Sequence, residues 1–109
     1  MLRLYDTAKR AKVDFVPSVE GRVSMYVCGP TPYDVPHLGH GRKEIAFDTI
    51  RRYLIWRGFA VTYVSNVTDV EDKIISRAHE AGTSEAELVA RYEVTFRDAF
   101  DRLNILRPD

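Results

Sequence analysis

The feature that most limits what this chain can form is a long helical stretch between two short β-rich runs. Val23-Ser24-Met25-Tyr26-Val27-Cys28 and Ala60-Val61-Thr62-Tyr63-Val64 are dominated by β-branched and aromatic residues. Between them, from about Leu38 or His40 to Arg57, Phe47, Ile50 and Leu54 recur at spacings of three and four, and Gly58 stands just past the helix end. Strand, helix, strand is a βαβ unit, whose crossover is parallel and right-handed in nearly all cases. Ligands of open α/β sheets bind beyond the carboxyl ends of the strands. Those ends are Cys28-Gly29 and Ser65-Asn66-Val67-Thr68, and the helix starts near His37-Leu38-Gly39-His40. Three polar segments up to forty residues apart are therefore expected on one rim.

The rest of the chain packs around that unit. Residues 1–6 and 13–16 read as strands of an N-terminal hairpin that stops at Pro17. Asp69 caps a helix running to about Ala81, with Glu71 and Asp72 in its first turn, and Gly82 ends it. Ser84 and Glu87 form a capping box for a last helix with the stripe Leu88, Tyr92, Phe96, Ala99/Phe100 and Leu103. The fold class expected is α/β, a parallel βαβ core with an N-terminal hairpin and two C-terminal helices. At 109 residues and 45% hydrophobic, the chain is one domain or part of one, and not a disordered segment. Its 16 basic and 16 acidic side chains cancel, so no global field attracts a polyanion and any nucleic-acid contact must be local. No apolar run approaches the ~20 residues that cross a bilayer, so no membrane contact is expected. Met1-Leu2-Arg3-Leu4 has no signal-peptide pattern, and the single Cys28 fits a reducing cytosol, so a cytoplasmic location is expected.

His37 and His40 sit where a helix N-terminus offers free N–H groups and a favourable dipole to an anion, and Gly39 between them allows close approach of a phosphate or base. This is read as a nucleotide site rather than a pair of solvated histidines. A Walker loop and a G-x-G-x-x-G are both missing, which argues against P-loop hydrolysis and dinucleotide binding. Cys28 leaves three readings open: a buried apolar filler, a nucleophile without an evident base, or one zinc thiolate without evident companions. Asp69, Glu71 and Asp72 are read as helix-capping groups rather than a metal cluster. Arg42, Lys43, Arg51, Arg52 and Arg57 read as a solvated helix face, Trp56 as core and His79 as surface.

Three blocks in order resemble the signatures of the cysteinyl-tRNA synthetases, a class I aminoacyl-tRNA synthetase family. They are Cys28-Gly29-Pro30-Thr31-Pro32-Tyr33-Asp34, His37-Leu38-Gly39-His40 and Asn66-Val67-Thr68-Asp69-Val70-Glu71-Asp72-Lys73. Leu4-Tyr5-Asp6-Thr7 and Leu103-Asn104-Ile105-Leu106-Arg107-Pro108 agree as flanks. The histidine block is common to class I synthetases, and the other two narrow it to the cysteine branch. The resemblance implies a partial Rossmann-type fold of the HIGH superfamily, with residues 1–109 forming the N-terminal half of a nucleotide-binding catalytic domain. It implies activation of cysteine by ATP, with Mg2+, to cysteinyl-adenylate and transfer to tRNA(Cys). His37 and His40 would steady the ATP phosphates, Gly39 would lie under the adenine, and Gly29, Thr31 and Thr68 would line the cysteine pocket. Cys28 would be a Zn2+ ligand, and zinc's preference for a soft sulfur ligand would reject serine.

The resemblance also marks departures. Leu38 replaces the commoner isoleucine, and Pro32 with the leucine-containing motif is shared with the cysteine ligase of mycothiol synthesis, the alternative within this class. Lys73 and the compact N-terminus favour the synthetase. A lysine-rich loop, the other zinc ligands and an anticodon-binding domain belong to the family and are not among the 109 residues. Zinc binding is therefore expected to be weak or absent. Self-association, or docking with a complementary catalytic half, is expected to cover the sheet. A non-catalytic nucleotide-binding or interaction module is the alternative from another class.

Overall fold

A computed structural model describes residues 1–109, and its elements run β1 (Arg3–Asp6), β2 (Ala11–Asp14), β3 (Arg22–Val27), α1 (Leu38–Trp56), β4 (Ala60–Ser65), α2 (Asp72–Ala81) and α3 (Glu85–Arg102). The β3–α1–β4 unit forms as expected. β3 and β4 pair in parallel from Arg22↔Ala60 to Val27↔Ser65. Val23, Val27 and Tyr63 turn inward and are buried, while Ser24, Tyr26, Thr62 and Val64 alternate onto an open face. Hairpin β1–β2 is a separate two-stranded sheet.

Its second strand lies two residues earlier than the sequence predicts. Asp6 Oδ1 accepts the amides of Ala8 (2.8 Å) and Lys9 (3.1 Å), and Arg10 takes the left-handed conformation at φ 50°. The turn thus closes early, and Leu4 faces Val13. The Asp69 cap is also corrected. The N-cap of α2 is Glu71, whose carboxylate accepts from the Lys73 amide at 3.3 Å. Residues 66–70 stay outside the helix, and the Thr68 amide is already committed to the Pro30 carbonyl at 3.1 Å. Gly82 (φ 65°) ends α2. The Ser84–Glu87 box forms as read, with the Glu87 amide on Ser84 Oγ at 3.2 Å.

Two side-chain assignments reverse. Trp56, expected in the core, is 77% exposed, and Arg51, expected on a solvated face, is 6% exposed. The buried residues of α1 are Glu44, Arg51 and Leu54, so two charged side chains share the buried face with one leucine. Arg51 lies over the Tyr63 ring (5.1 Å) and donates to the Arg107 carbonyl (2.7 Å) and to Asp109 (3.0 Å). Asp109 also bonds the β4 backbone: its amide reaches the Tyr63 carbonyl at 2.9 Å, and its Oδ2 accepts the Tyr63 amide at 2.8 Å. The last residues are thereby laid along the edge of β4. A second small core, Ile74, Ala78, Leu88 and Val89, joins α2 to α3, and Tyr33 and Tyr92 pack on it. Only 12 of 109 residues are buried, so much of the apolar surface, including the open sheet face, lies uncovered.

Candidate functional site: a nucleotide-type rim at the strand ends

The rim is built by three segments that bond to one another. Beyond the last β3–β4 pair, the Gly29 amide donates to Asn66 Oδ1 at 2.6 Å, and the Thr68 amide donates to the Pro30 carbonyl at 3.1 Å. These bonds extend the strand pairing into the loops and bring Gly29 and Thr68 onto neighbouring segments. Gly29 has no alternative here: a Cβ would fall within the Asn66 carbonyl oxygen and 2.7 Å from Ser65 Oγ. The loop from Thr31 to Pro36 is held from outside. Pro32 is fully buried, Tyr33 packs on the α2–α3 core, and Asp34 pairs with Arg77 at 3.7 Å.

His37 is the N-cap of α1, and its imidazole replaces the usual small polar side chain. Its Nδ1 accepts the Gly39 amide at 3.0 Å, while His40 Nδ1 accepts the His37 amide at 3.1 Å, a capping box made of two histidines. An imidazole nitrogen that accepts an N–H carries no proton, so both rings are held in the Nε2–H form. The rings lie 4.0 Å apart between centroids, and His40 meets Phe96 of α3 edge to face at 4.9 Å. Burial lowers the His40 pKa below 6.5, and neighbouring His37 and Lys43 lower it further. Gly39 is needed inside the box itself. A Cβ there would stand 2.8 Å from His37 Cε1 and 3.0 Å from its Nδ1, pushing the ring off its cap. What results is a helix N-terminus at which both Nδ1 atoms are engaged and both Nε2–H groups remain outside the cap, an arrangement suited to phosphate oxygens.

Cys28 is exposed, which removes the buried-filler reading, and its thiol makes one weak contact to the Gly29 carbonyl at 3.7 Å. Zinc requires three or four protein ligands, and no three His, Cys, Asp or Glu side chains of the chain gather where they could hold an ion. A single exposed thiol without such companions does not fit zinc's tetrahedral set.

Behind the rim lies a cleft of about 330 Å³ between the sheet, α3 and the C-terminal residues, with Glu44, Tyr63 and Asn66 set among Phe96, Phe100 and Ile105. Sequence reasoning placed Asn66 on the rim without a role, read Lys43 as part of a solvated helix face, and passed over Glu44. Lys43 donates to the Cys28 carbonyl and to Glu44 Oε1 at 2.7 Å. Glu44 falls in the helical phase of Phe47, Arg51 and Leu54, and a carboxylate in an apolar phase was the available signal.

With that geometry in place, comparison with known proteins is informative. A family model described as the class I (C) tRNA synthetase catalytic domain matches residues 14–109. The chain belongs to that family. It is 53% identical over 108 residues to a cysteine–tRNA ligase of Gloeobacter violaceus, covering 99% of this chain and 22% of that one. It is 51% identical over 109 residues to a cysteine–tRNA ligase of Sodalis glossinidius, covering 100% of this chain and 24% of that one. The chain thus spans under a quarter of the length of these relatives. Among solved structures, Mycobacterium tuberculosis methionyl-tRNA synthetase in complex with methionyl-adenylate superimposes with a TM-score of 0.69 at 28% identity, over 75% of this chain and 16% of that one. The mixed α/β architecture with its parallel pair is therefore the Rossmann-like fold of class I synthetases. No helix is long and apolar enough to cross a membrane.

Proposed function

We propose that residues 1–109 act as the N-terminal half of a cysteine-activating catalytic domain, in a protein that joins cysteine to ATP as cysteinyl-adenylate and passes it to tRNA(Cys). The observation that carries this reading is the double-histidine cap, which engages both Nδ1 atoms with the backbone and leaves both Nε2 atoms outside the cap at a helix N-terminus. The solved relative in complex with methionyl-adenylate and the cysteine–tRNA ligase relatives support it. In this reading His37 and His40 donate to the ATP phosphates as the cysteine carboxylate attacks the α-phosphate, the bond to the β-phosphate breaks and pyrophosphate leaves, stabilising charge that builds there. Mg2+ enters with ATP. Gly39, bare of side chain at the helix start, lies under the adenine. Gly29 and Thr68, on segments joined by the Gly29–Asn66 and Thr68–Pro30 bonds, line the amino-acid pocket together with Thr31, the residue after Pro30. Cys28 is one sulfur donor, and no three His, Cys, Asp or Glu side chains gather to complete a zinc set, so zinc is held weakly or not at all by these residues alone.

A parallel sheet normally has both faces covered. Here Tyr26 is 69% exposed on the open face, beside exposed Val64. That face docks on a complementary catalytic half or on a second copy, and a stable monomer in sedimentation would count against this. The reduced single cysteine accords with a cytoplasmic setting.

Two measurements test the assignment. Titration with Mg-ATP should show saturable binding that is lost when both histidines are replaced. Cysteine-dependent exchange of labelled pyrophosphate into ATP then asks whether this half alone carries activation. Absence of ATP binding at millimolar concentration overturns the nucleotide reading.

A further inference from the structure

The loop that carries Cys28 and Gly29 begins where the β3–β4 ladder ends, at Val27↔Ser65, so strand pairing does not fix it. Two bonds tie it to the β4 side, Gly29 to Asn66 and Thr68 to Pro30. A third runs to α1, the helix that bears the histidine cap: the Lys43 ammonium donates to the Cys28 carbonyl. That ammonium is itself held by the Glu44 carboxylate at 2.7 Å. Glu44 is 6% exposed and faces the sheet beside the Tyr63 hydroxyl. Only the Glu44 end of the pair is buried, and the Lys43 side chain stays 37% exposed, so the pair adds little stability of its own. What the pair supplies is direction. Glu44 is anchored in the interface, so the partly exposed Lys43 ammonium is held by two partners, the Glu44 carboxylate and the Cys28 carbonyl, rather than by water alone.

We propose that Lys43, oriented by Glu44, is a positioning residue that sets the Cys28-Gly29-Pro30 segment against the His37–His40 turn. It rests on the reading above only for its consequence: with Gly29 and Thr31 as the amino-acid side and the histidine turn as the nucleotide side, the brace fixes the distance between two reacting partners. A small misplacement of reacting groups is costly in rate.

The brace itself is tested without substrate, by amide hydrogen exchange of the native chain and of K43M, K43R and E44Q. In K43M the Gly29 and Thr68 amides exchange about tenfold faster or more, while those of the α1 interior and of Tyr63 keep their protection. E44Q moves the same two amides in the same direction, and K43R, which retains charge and reach, restores them. Unchanged protection at Gly29 and Thr68, a uniform drop across β3, β4 and α1, or failure of K43R to restore overturns the proposal. Since no nucleotide is present, this outcome is independent of the ATP titration that decides the functional reading.

Discussion

Replacing His37 separates its two tasks, because only one of them needs an imidazole. The cap needs an acceptor at the position of Nδ1, which asparagine supplies, and asparagine ranks among the best N-cap residues. The reciprocal bond, from the His37 amide to His40 Nδ1, belongs to the backbone and survives any substitution except proline. His37→Asn should therefore keep stability within about 0.5 kcal/mol. His37→Ala leaves the Gly39 amide without its acceptor, which costs about 1 kcal/mol. In a domain of this size that is about 4 °C in Tm. Nucleotide binding divides differently. Both variants lose the Nε2–H, and a hydrogen bond to a charged group contributes about 1.5–3 kcal/mol. The dissociation constant for Mg-ATP should rise about 10- to 150-fold in both. Thermal unfolding and calorimetric titration on the same three proteins read the two effects. Wild-type ATP affinity in His37→Asn, or a Tm as low as that of His37→Ala, refutes the assignment of the two ring nitrogens.

Gly39→Ala tests why a glycine separates the histidines: the gain in helix propensity, about 1 kcal/mol, offsets the cap it displaces, so Tm should barely change while ATP affinity falls. Equal affinity would show that the His37 ring is not needed in its observed position. Arg51→Met should cost about 2 kcal/mol, since loss of the Arg107 and Asp109 bonds and the Tyr63 contact is only partly offset by relief of the buried Nε that has no partner. Arg51→Ala should cost about 2 kcal/mol more through the cavity it leaves, as read by denaturant unfolding, and equal losses in both would contradict this balance. The His40 pKa is lowered on folding, so the unfolded chain takes up its proton first and stability falls as pH drops below 6.5. Tm should decline between pH 7 and pH 5, and His40→Gln should flatten that decline; an unaltered slope would place the titrating group elsewhere.

The βαβ order, the Ser84–Glu87 box, the Gly82 stop and the three rim segments were legible because each depends on local chemistry: β-rich runs, capping side chains at fixed offsets, and a helix stripe of period 3.6. The position of the histidine turn at a helix start was legible for the same reason, whereas the mutual capping of its two imidazoles came only with the structure. Their protonation form was not legible either, because that depends on which nitrogen the backbone engages.

The α2 start, the exposed Trp56 and the buried Arg51 required the tertiary structure. Asp69 and Glu71 can each cap a helix; in the structure Glu71 takes the Lys73 amide, and residues 66–70 run along the rim instead, where the Thr68 amide bonds Pro30. Arg51 is buried because residues 106–109 return to it with carbonyls and a carboxylate, partners about 55 residues away in the chain. Lys43 and Glu44 follow the same rule: a charged pair in sequence becomes a brace only when a strand end supplies the Cys28 carbonyl. The sequence alone determined the elements and the chemistry available at the rim, because those are set by neighbours within a turn or a strand. Which charged groups turn inward, and what they hold, was decided by contacts between distant segments, where burial is tolerated only with a partner in reach.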